Sequence, residues 1–142
     1  MTDPSDLLDH IAGTWHLERT ISTGSRFQGL AHIRPTDMRN TYSYHEEGSF
    51  VHEQTAHEVY RDYIYKVKDE KLEIIFADPH RAGEHYVTLD FRQGPTADDT
   101  YLCGDDIYAH IFEIISAHEF HTETVVSGPE KDYRLQSYYR RL

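Results

Sequence analysis

The sequence predicts an all-β fold: one antiparallel barrel of about eight or nine strands over residues 1–142, with a short helix at 4–12 plugging one end. Three observations predict it. Apolar and polar residues alternate with a period of two almost throughout. Turn-forming residues punctuate the chain at regular short intervals. Charged residues recur on the very faces that the apolar residues mark as interior.

The helix comes first. Asp3 can cap it, Pro4 suits its first position, and Leu7, Leu8 and Ile11 form one apolar face, with Gly13 as a left-handed cap. Beyond Gly13 the period becomes two. Trp15, Leu17, Arg19 and Ile21 share a face, as do Phe27, Gly29, Ala31 and Ile33, and then Tyr42, Tyr44 and Glu46. Phe50 to Val67 reads as one bent strand or two, with Val59, Arg61, Tyr63, Tyr65 and Val67 on one face. Leu72, Ile74 and Phe76 follow, then His85, Val87, Leu89 and Phe91. From Ile107 to Ile115 both faces are largely apolar, which predicts a strand buried on both sides. Phe120 to Val126 and Tyr133 to Arg141 complete the series. Thr23-Gly24-Ser25, Glu47-Gly48, Lys68-Asp69-Glu70, Gly94-Pro95 and Ser127-Gly128-Pro129 are the expected turns, and Thr96-Ala97-Asp98-Asp99 is expected to be a solvated loop.

The interior charges favour a barrel over a sandwich. A sandwich core about 10 Å thick has no space for the heads of Arg19, Glu46, Arg61 and His85. A closed barrel encloses a small cavity in which such groups meet water or a ligand.

Composition narrows the function. The formal charge is −11, which repels nucleic acid and anionic lipid. No apolar run is long enough for a membrane-spanning helix. The acidic N-terminus lacks the basic start of a signal peptide, and Cys103 is the only cysteine, so the chain reads as cytoplasmic. Eleven Tyr, six Phe and one Trp supply core area and flat cavity walls.

Gly13-x-Trp15 after a short helix resembles the start of lipocalin-like (calycin) barrels. That resemblance implies that Trp15 closes one barrel end beneath Arg140 or Arg141 in a cation–π contact. More closely, the chain resembles a bacterial family of uncharacterised lipocalin-like proteins. The matching residues are Gly13-x-Trp15-x-Leu17-x-Arg19-x-Ile21, Phe27-x-Gly29-x-Ala31, Tyr44-x-Glu46-x-Gly48, Arg61-x-Tyr63, Phe76-Ala77-Asp78, Cys103-x-x-Asp106-x-Tyr108, Gly128-Pro129-x-Lys131-Asp132-Tyr133 and Tyr139-Arg140. It departs from the family at Asp78-Pro79-His80-Arg81-Ala82-Gly83-Glu84-His85 and at Tyr101, where the family often has His. The family implies a fold and no established activity.

The leading expectation is a binder of a small aromatic or carboxylate-bearing molecule. Its site would comprise Arg19, Tyr44, Glu46, Arg61, Tyr63, His85, Asp106, Tyr108 and Tyr133, because guanidinium groups grip oxyanions and tyrosines make amphipathic walls. Alternatively these charges only pair with one another, Arg19 or Arg61 with Glu46 or Asp106. A second function is a cofactor-free isomerase, cyclase or decarboxylase in which Glu46, raised toward neutrality, acts with His85 and Tyr108. No cofactor is predicted; a haem barrel with one axial histidine stays open, as some lipocalin-like barrels bind haem. No metal site is predicted, since His118 and His121, the densest pair beside Glu119 and Glu123, lack ligand spacing. Cys103, followed by Asp105 and Asp106, reads as structural. Tyr60, Ile64, Tyr138 and the Ile107–Ile115 strand make a homodimer an expectation.

Overall fold

The computed structural model describes residues 4–142. The proposed cap at Asp3 lies outside them. Helix α1 covers Pro4–Asp9, and ten strands follow: β1 Gly13–Ile21, β2 Arg26–Pro35, β3 Thr41–His52, β4 Thr55–Lys68, β5 Lys71–Phe76, β6 His85–Asp90, β7 Thr96–Cys103, β8 Asp106–Ser116, β9 Glu119–Ser127 and β10 Asp132–Arg141. They form one antiparallel sheet in the order β6-β5-β4-β3-β2-β1-β10-β9-β8-β7. The sheet curls until its two ends meet. There the Thr88 amide donates to Asp99 Oδ2 at 2.8 Å and the rings of Tyr86 and Tyr101 lie 5.4 Å apart. The barrel is therefore nearly closed, with a side-chain seam in place of one backbone ladder.

The sequence expectation of eight or nine strands falls short by β7. Its acidic run reads as a loop, yet Ala97, Asp99 and Tyr101 alternate on one side of the strand: Ala97 and Tyr101 are buried, Asp99 is half-buried and accepts the Thr88 amide at the seam, and Asp98 lies exposed on the other side. Charge on a strand at the end of a sheet order also discourages pairing with other chains. Glu47-Gly48 is not a turn either. Strand β3 runs through it to His52, and the chain reverses at Glu53, whose φ is 55°. Gly48 instead faces Gly29 across the β2–β3 ladder. A Cβ on Gly48 would lie 2.6 Å from the Gly29 Cα and collide with the Gln28 carbonyl; one on Gly29 would lie 2.7 Å from the Gly48 Cα. The glycine pair lets the two strand backbones approach closely at this point of the ladder.

The helix is shorter than expected and Gly13 is not its cap. Arg141 takes over that end: its guanidinium donates to the His10 carbonyl at 2.6 Å and the Ala12 carbonyl at 2.8 Å. It also stands 4.3 Å from the Trp15 ring, so Arg141 rather than Arg140 makes the cation–π contact. Gly13 is needed here because a Cβ would lie 2.7 Å from Arg141 Nη1. Trp15 Nε1 donates to the Ile11 carbonyl at 3.1 Å. Leu7, Leu8 and Ile11 are fully buried with Trp15, Leu17, Phe91, Phe112 and Phe120, so this half of the barrel is filled. The rings of Phe112, Phe120 and Tyr139 stack at 4.7 and 4.2 Å.

Strand β8 is not buried on both faces. Its inner face carries His110, Phe112 and Ile114, while Ile107, Ile111 and Ile115 stay 44%, 36% and 39% exposed. No second layer covers the outside of a single barrel wall, and β-branched residues suit a strand without being buried.

Gly48→Ala is expected to destabilise the fold by about 1–3 kcal/mol, because the collision is with backbone. Denaturant melts check this, and an unchanged midpoint would refute the close-approach account.

Candidate functional site

The half of the barrel away from α1 is hollow. Its cavity has a volume of about 500 Å³, and nine of the eleven tyrosines line it, all but Tyr42 and Tyr138. A surface groove of about 840 Å³ beside α1 is larger; of its two arginines, Arg141 is committed to carbonyls and Arg39 lies exposed beside the acidic Asp6 and Asp9 of the same lining.

The cavity floor is a polar network. Arg19 grips Glu46 with both prongs, at 2.7 and 3.1 Å, and its Nε donates to Ser137 Oγ at 2.7 Å. Tyr44 donates to Glu46 Oε1 at 2.7 Å, and the Tyr44 and Tyr139 hydroxyls lie 2.7 Å apart. Burial alone would push the Glu46 carboxyl up, but the charge and hydrogen bonds of Arg19, helped by Tyr44, hold it below the usual range. Burial pushes the hydroxyls of Tyr44 and Tyr65 well up, and that of Tyr139 to about 12, so these phenols are neutral donors near pH 7.

The mouth is different. Arg61 donates to Tyr63 Oη at 3.3 Å, and among the described residues no carboxylate lies within 4.0 Å of its guanidinium. Arg81, from the segment between β5 and β6, stands 4.4 Å over the Phe76 ring, with Asp78 3.8 Å away. Lys131 bridges two turns: it sits 3.1 Å from Asp106 Oδ2 and donates to Tyr108 Oη at 3.1 Å. Two of the matching sequence motifs, Cys103-x-x-Asp106-x-Tyr108 and Gly128-Pro129-x-Lys131-Asp132-Tyr133, thus form one clamp. A Cβ on Gly128 would collide with the Asp106 carboxylate. The cavity lining carries Arg19, Arg61 and Arg81 against Glu46, so it is cationic inside a chain of charge −11.

The profile of a family of unknown function, DUF6314, matches residues 11–141. The chain belongs to this family. No curated protein matches it. Among solved structures it is similar to the S-type phycobiliprotein lyase CPES from Guillardia theta, with TM-score 0.67 and 9% identity over 97% of this chain and 92% of that one. It is also similar to a redesigned β-barrel, mFAP1, bound to DFHBI, with TM-score 0.57 and 14% identity over 96% and 99% of the two chains. A Nostoc punctiforme protein of unknown function from the DUF3598 family gives TM-score 0.60 and 10% identity over 100% of this chain and 50% of that one. At these identities the likeness shows the fold alone.

In this DUF6314 chain the cavity brings together Arg19, Tyr44, Glu46, Arg61, Tyr63, Tyr108 and Tyr133 of the residues singled out in the sequence. His85 and Asp106 do not line it. His85 is exposed, with Nε2 2.8 Å from Thr88 Oγ1, because the β5–β6 register shifts between Ile74 and Ile75 and reverses its side. The same bulge turns Tyr86 inward. Asp106 holds Lys131 from the turn. Glu46 is not raised toward neutrality, since Arg19 occupies both its oxygens. Tyr42, expected as a wall, lies instead by the groove beside α1. Sequence reasoning missed Tyr86, Tyr101, Arg81 and His110 as cavity residues. Only His110 carried a sequence sign: it alternates with Tyr108, Phe112 and Ile114 on an otherwise buried face. Its Nδ1 lies 3.0 Å from Thr124 Oγ1. Burial, with the nearby Arg19 charge, lowers its pKa to about 4. Among the described residues no cluster of three His, Cys, Asp or Glu is placed to hold a metal ion.

Glu46→Gln leaves Arg19 buried without its counter-charge and should cost about 3 kcal/mol. Arg61→Gln breaks no ion pair and should change stability by under about 0.5 kcal/mol. Parallel urea melts of the two variants decide this, and equal losses would refute the division between floor and mouth.

His110 also sets a pH dependence. Its folded pKa lies below the unfolded value of 6.5. The unfolded chain therefore takes up a proton that the folded chain refuses, and stability falls as pH drops from about 6.5 to about 4, by up to about 3 kcal/mol from this group. His110→Phe should flatten a pH series of melts across that window; an unaltered slope would show that other groups cause it.

Proposed function

We propose that this chain binds a small, flat aromatic molecule carrying a carboxylate or similar oxyanion inside the barrel. One observation carries the reading. Arg61 stands at the mouth of a cavity of about 500 Å³ walled by tyrosines. Glu46 stands opposite Arg61 across β3 and β4 and acts on it through space, but both Glu46 oxygens are engaged by Arg19, so among the described residues the Arg61 guanidinium has no carboxylate in contact and is suited to an external anion. Aromatic walls with neutral hydroxyls suit a flat ring that also needs hydrogen bonds. The similarity to a phycobiliprotein lyase and to a redesigned barrel bound to DFHBI supports a barrel of this kind as a holder of small molecules.

Binding is favoured over catalysis. Glu46 is an ionised carboxylate engaged by Arg19 and Tyr44, and His85 lies outside, so two of the three groups proposed for proton transfer are committed elsewhere.

Fluorescence titration with 2-naphthoate tests the reading. We expect one molecule bound per chain. Arg61→Gln should weaken it about tenfold or more, the effect of losing a charge-assisted hydrogen bond, without lowering the melting temperature. Absence of binding, together with no retained small molecule in native mass spectra of the purified protein, would refute it.

A further inference from the structure

Among the described residues, one histidine of the cavity wall has a buried polar atom that the protein leaves unmatched. His110 is only 7% exposed and its ring lines the cavity wall. Its Nδ1 is engaged by Thr124, while Nε2 is buried with no hydrogen-bond partner. Buried polar groups are nearly always hydrogen-bonded, and an exception calls for an explanation. The position is deep. Along β8 the inward residues are Tyr108, held by Lys131 at the mouth, then His110, then Phe112, which is fully buried in the filled half. The Tyr86 ring from β6 approaches the imidazole edge-on at 5.5 Å, and Thr124 comes from β9.

We infer that His110 Nε2 is the inner anchor of the ligand, holding a hydroxyl at the end of the aromatic molecule opposite its oxyanion. The ligand class is then a hydroxyaryl acid. Its oxyanion meets Arg61 at the mouth, its ring lies among the tyrosines, and its hydroxyl reaches the imidazole. A hydroxyl suits Nε2 in either tautomer, since it can both donate and accept. Arg19 and Asp99 are the charged groups that act on this imidazole. The ring is neutral near pH 7, so the contact is an ordinary hydrogen bond. This assignment rests on the cavity being a ligand site and adds which end of the ligand goes where.

Three probes separate the two ideas: 6-hydroxy-2-naphthoate, 2-naphthoate and 2-naphthol, each titrated by fluorescence. The wild-type chain should bind the hydroxy acid up to about tenfold more tightly than 2-naphthoate, the worth of one neutral hydrogen bond. His110→Phe should bring the two acids to equal affinity, and His110→Gln should restore part of the preference. Arg61→Gln should weaken both acids by a larger factor than it weakens 2-naphthol. The imidazole nitrogen resonance of His110 in the wild-type chain gives a reading that needs no variant: Nε2 should shift with the hydroxy acid and not with 2-naphthoate. If the acids bind but the hydroxyl preference survives His110→Phe, or Nε2 does not respond, the anchor is wrong while the cavity reading stands. If no probe binds, both fall. A Soret shift on adding haemin that His110→Gln abolishes would assign Nε2 to iron and overturn the hydrogen-bond anchor.

Discussion

The buried pair of Arg19 and Glu46 is the interaction on which the rest of the interior depends. It ties β1 to β3 across β2, and through Ser137 and Tyr139 it reaches β10. A lone charge at that depth would be strongly disfavoured, and two forked hydrogen bonds make the pair tolerable. Arg19 and Tyr44 occupy the Glu46 oxygens, so the pair can form the boundary between packed hydrocarbon and hollow, and Arg61, opposite Glu46 on β4, acts on it only through space. That leaves Arg61, further out on the same side, as the cation whose partner is not built in.

The barrel is thus two structures end to end. On the α1 side, aromatic and aliphatic side chains fill the space, and Arg141 serves as a lid fastener by binding carbonyls and covering Trp15. On the other side the same inward alternation continues, but the residues are tyrosines. Their hydroxyls need hydrogen-bond partners, so the cavity there has a hydrogen-bonding lining. The turns at that end are held by Asp106, Lys131 and Gly128, which position Tyr108 and Tyr133 at the rim. A rim fixed by an ion pair and a filled opposite end give the cavity a rigid frame, which favours binding by limiting what must be ordered.

Much of this was legible beforehand. Strict alternation placed Arg19, Glu46, Arg61 and Tyr63 inside because residues two apart on a strand share a face. The alternation failed where the backbone departed from it. One extra residue at the Ile74–Ile75 bulge exchanged His85 for Tyr86. The acidic start of β7 hid Tyr101 because Asp98 and Asp99 read as solvated, although Asp99 shares the inward side with Ala97 and Tyr101 and finds its partner at the seam. Gly48 looked like a turn because glycine is ambiguous in one dimension: it serves reversals and close approaches alike, and only the partner Gly29 distinguishes them.

The sequence alone determined the class of fold, the helix-plugged end and the mixture of rings and charges on the inner wall, since each follows from local periodicity and residue chemistry. Only the tertiary structure decided which charges neutralise each other and which is left over. That choice depends on register across β1, β2, β3 and β10. Such pairings join residues far apart in the chain, 120 positions for Arg19 and Tyr139. Local sequence does not encode a distance of that kind; it is set when the sheet closes.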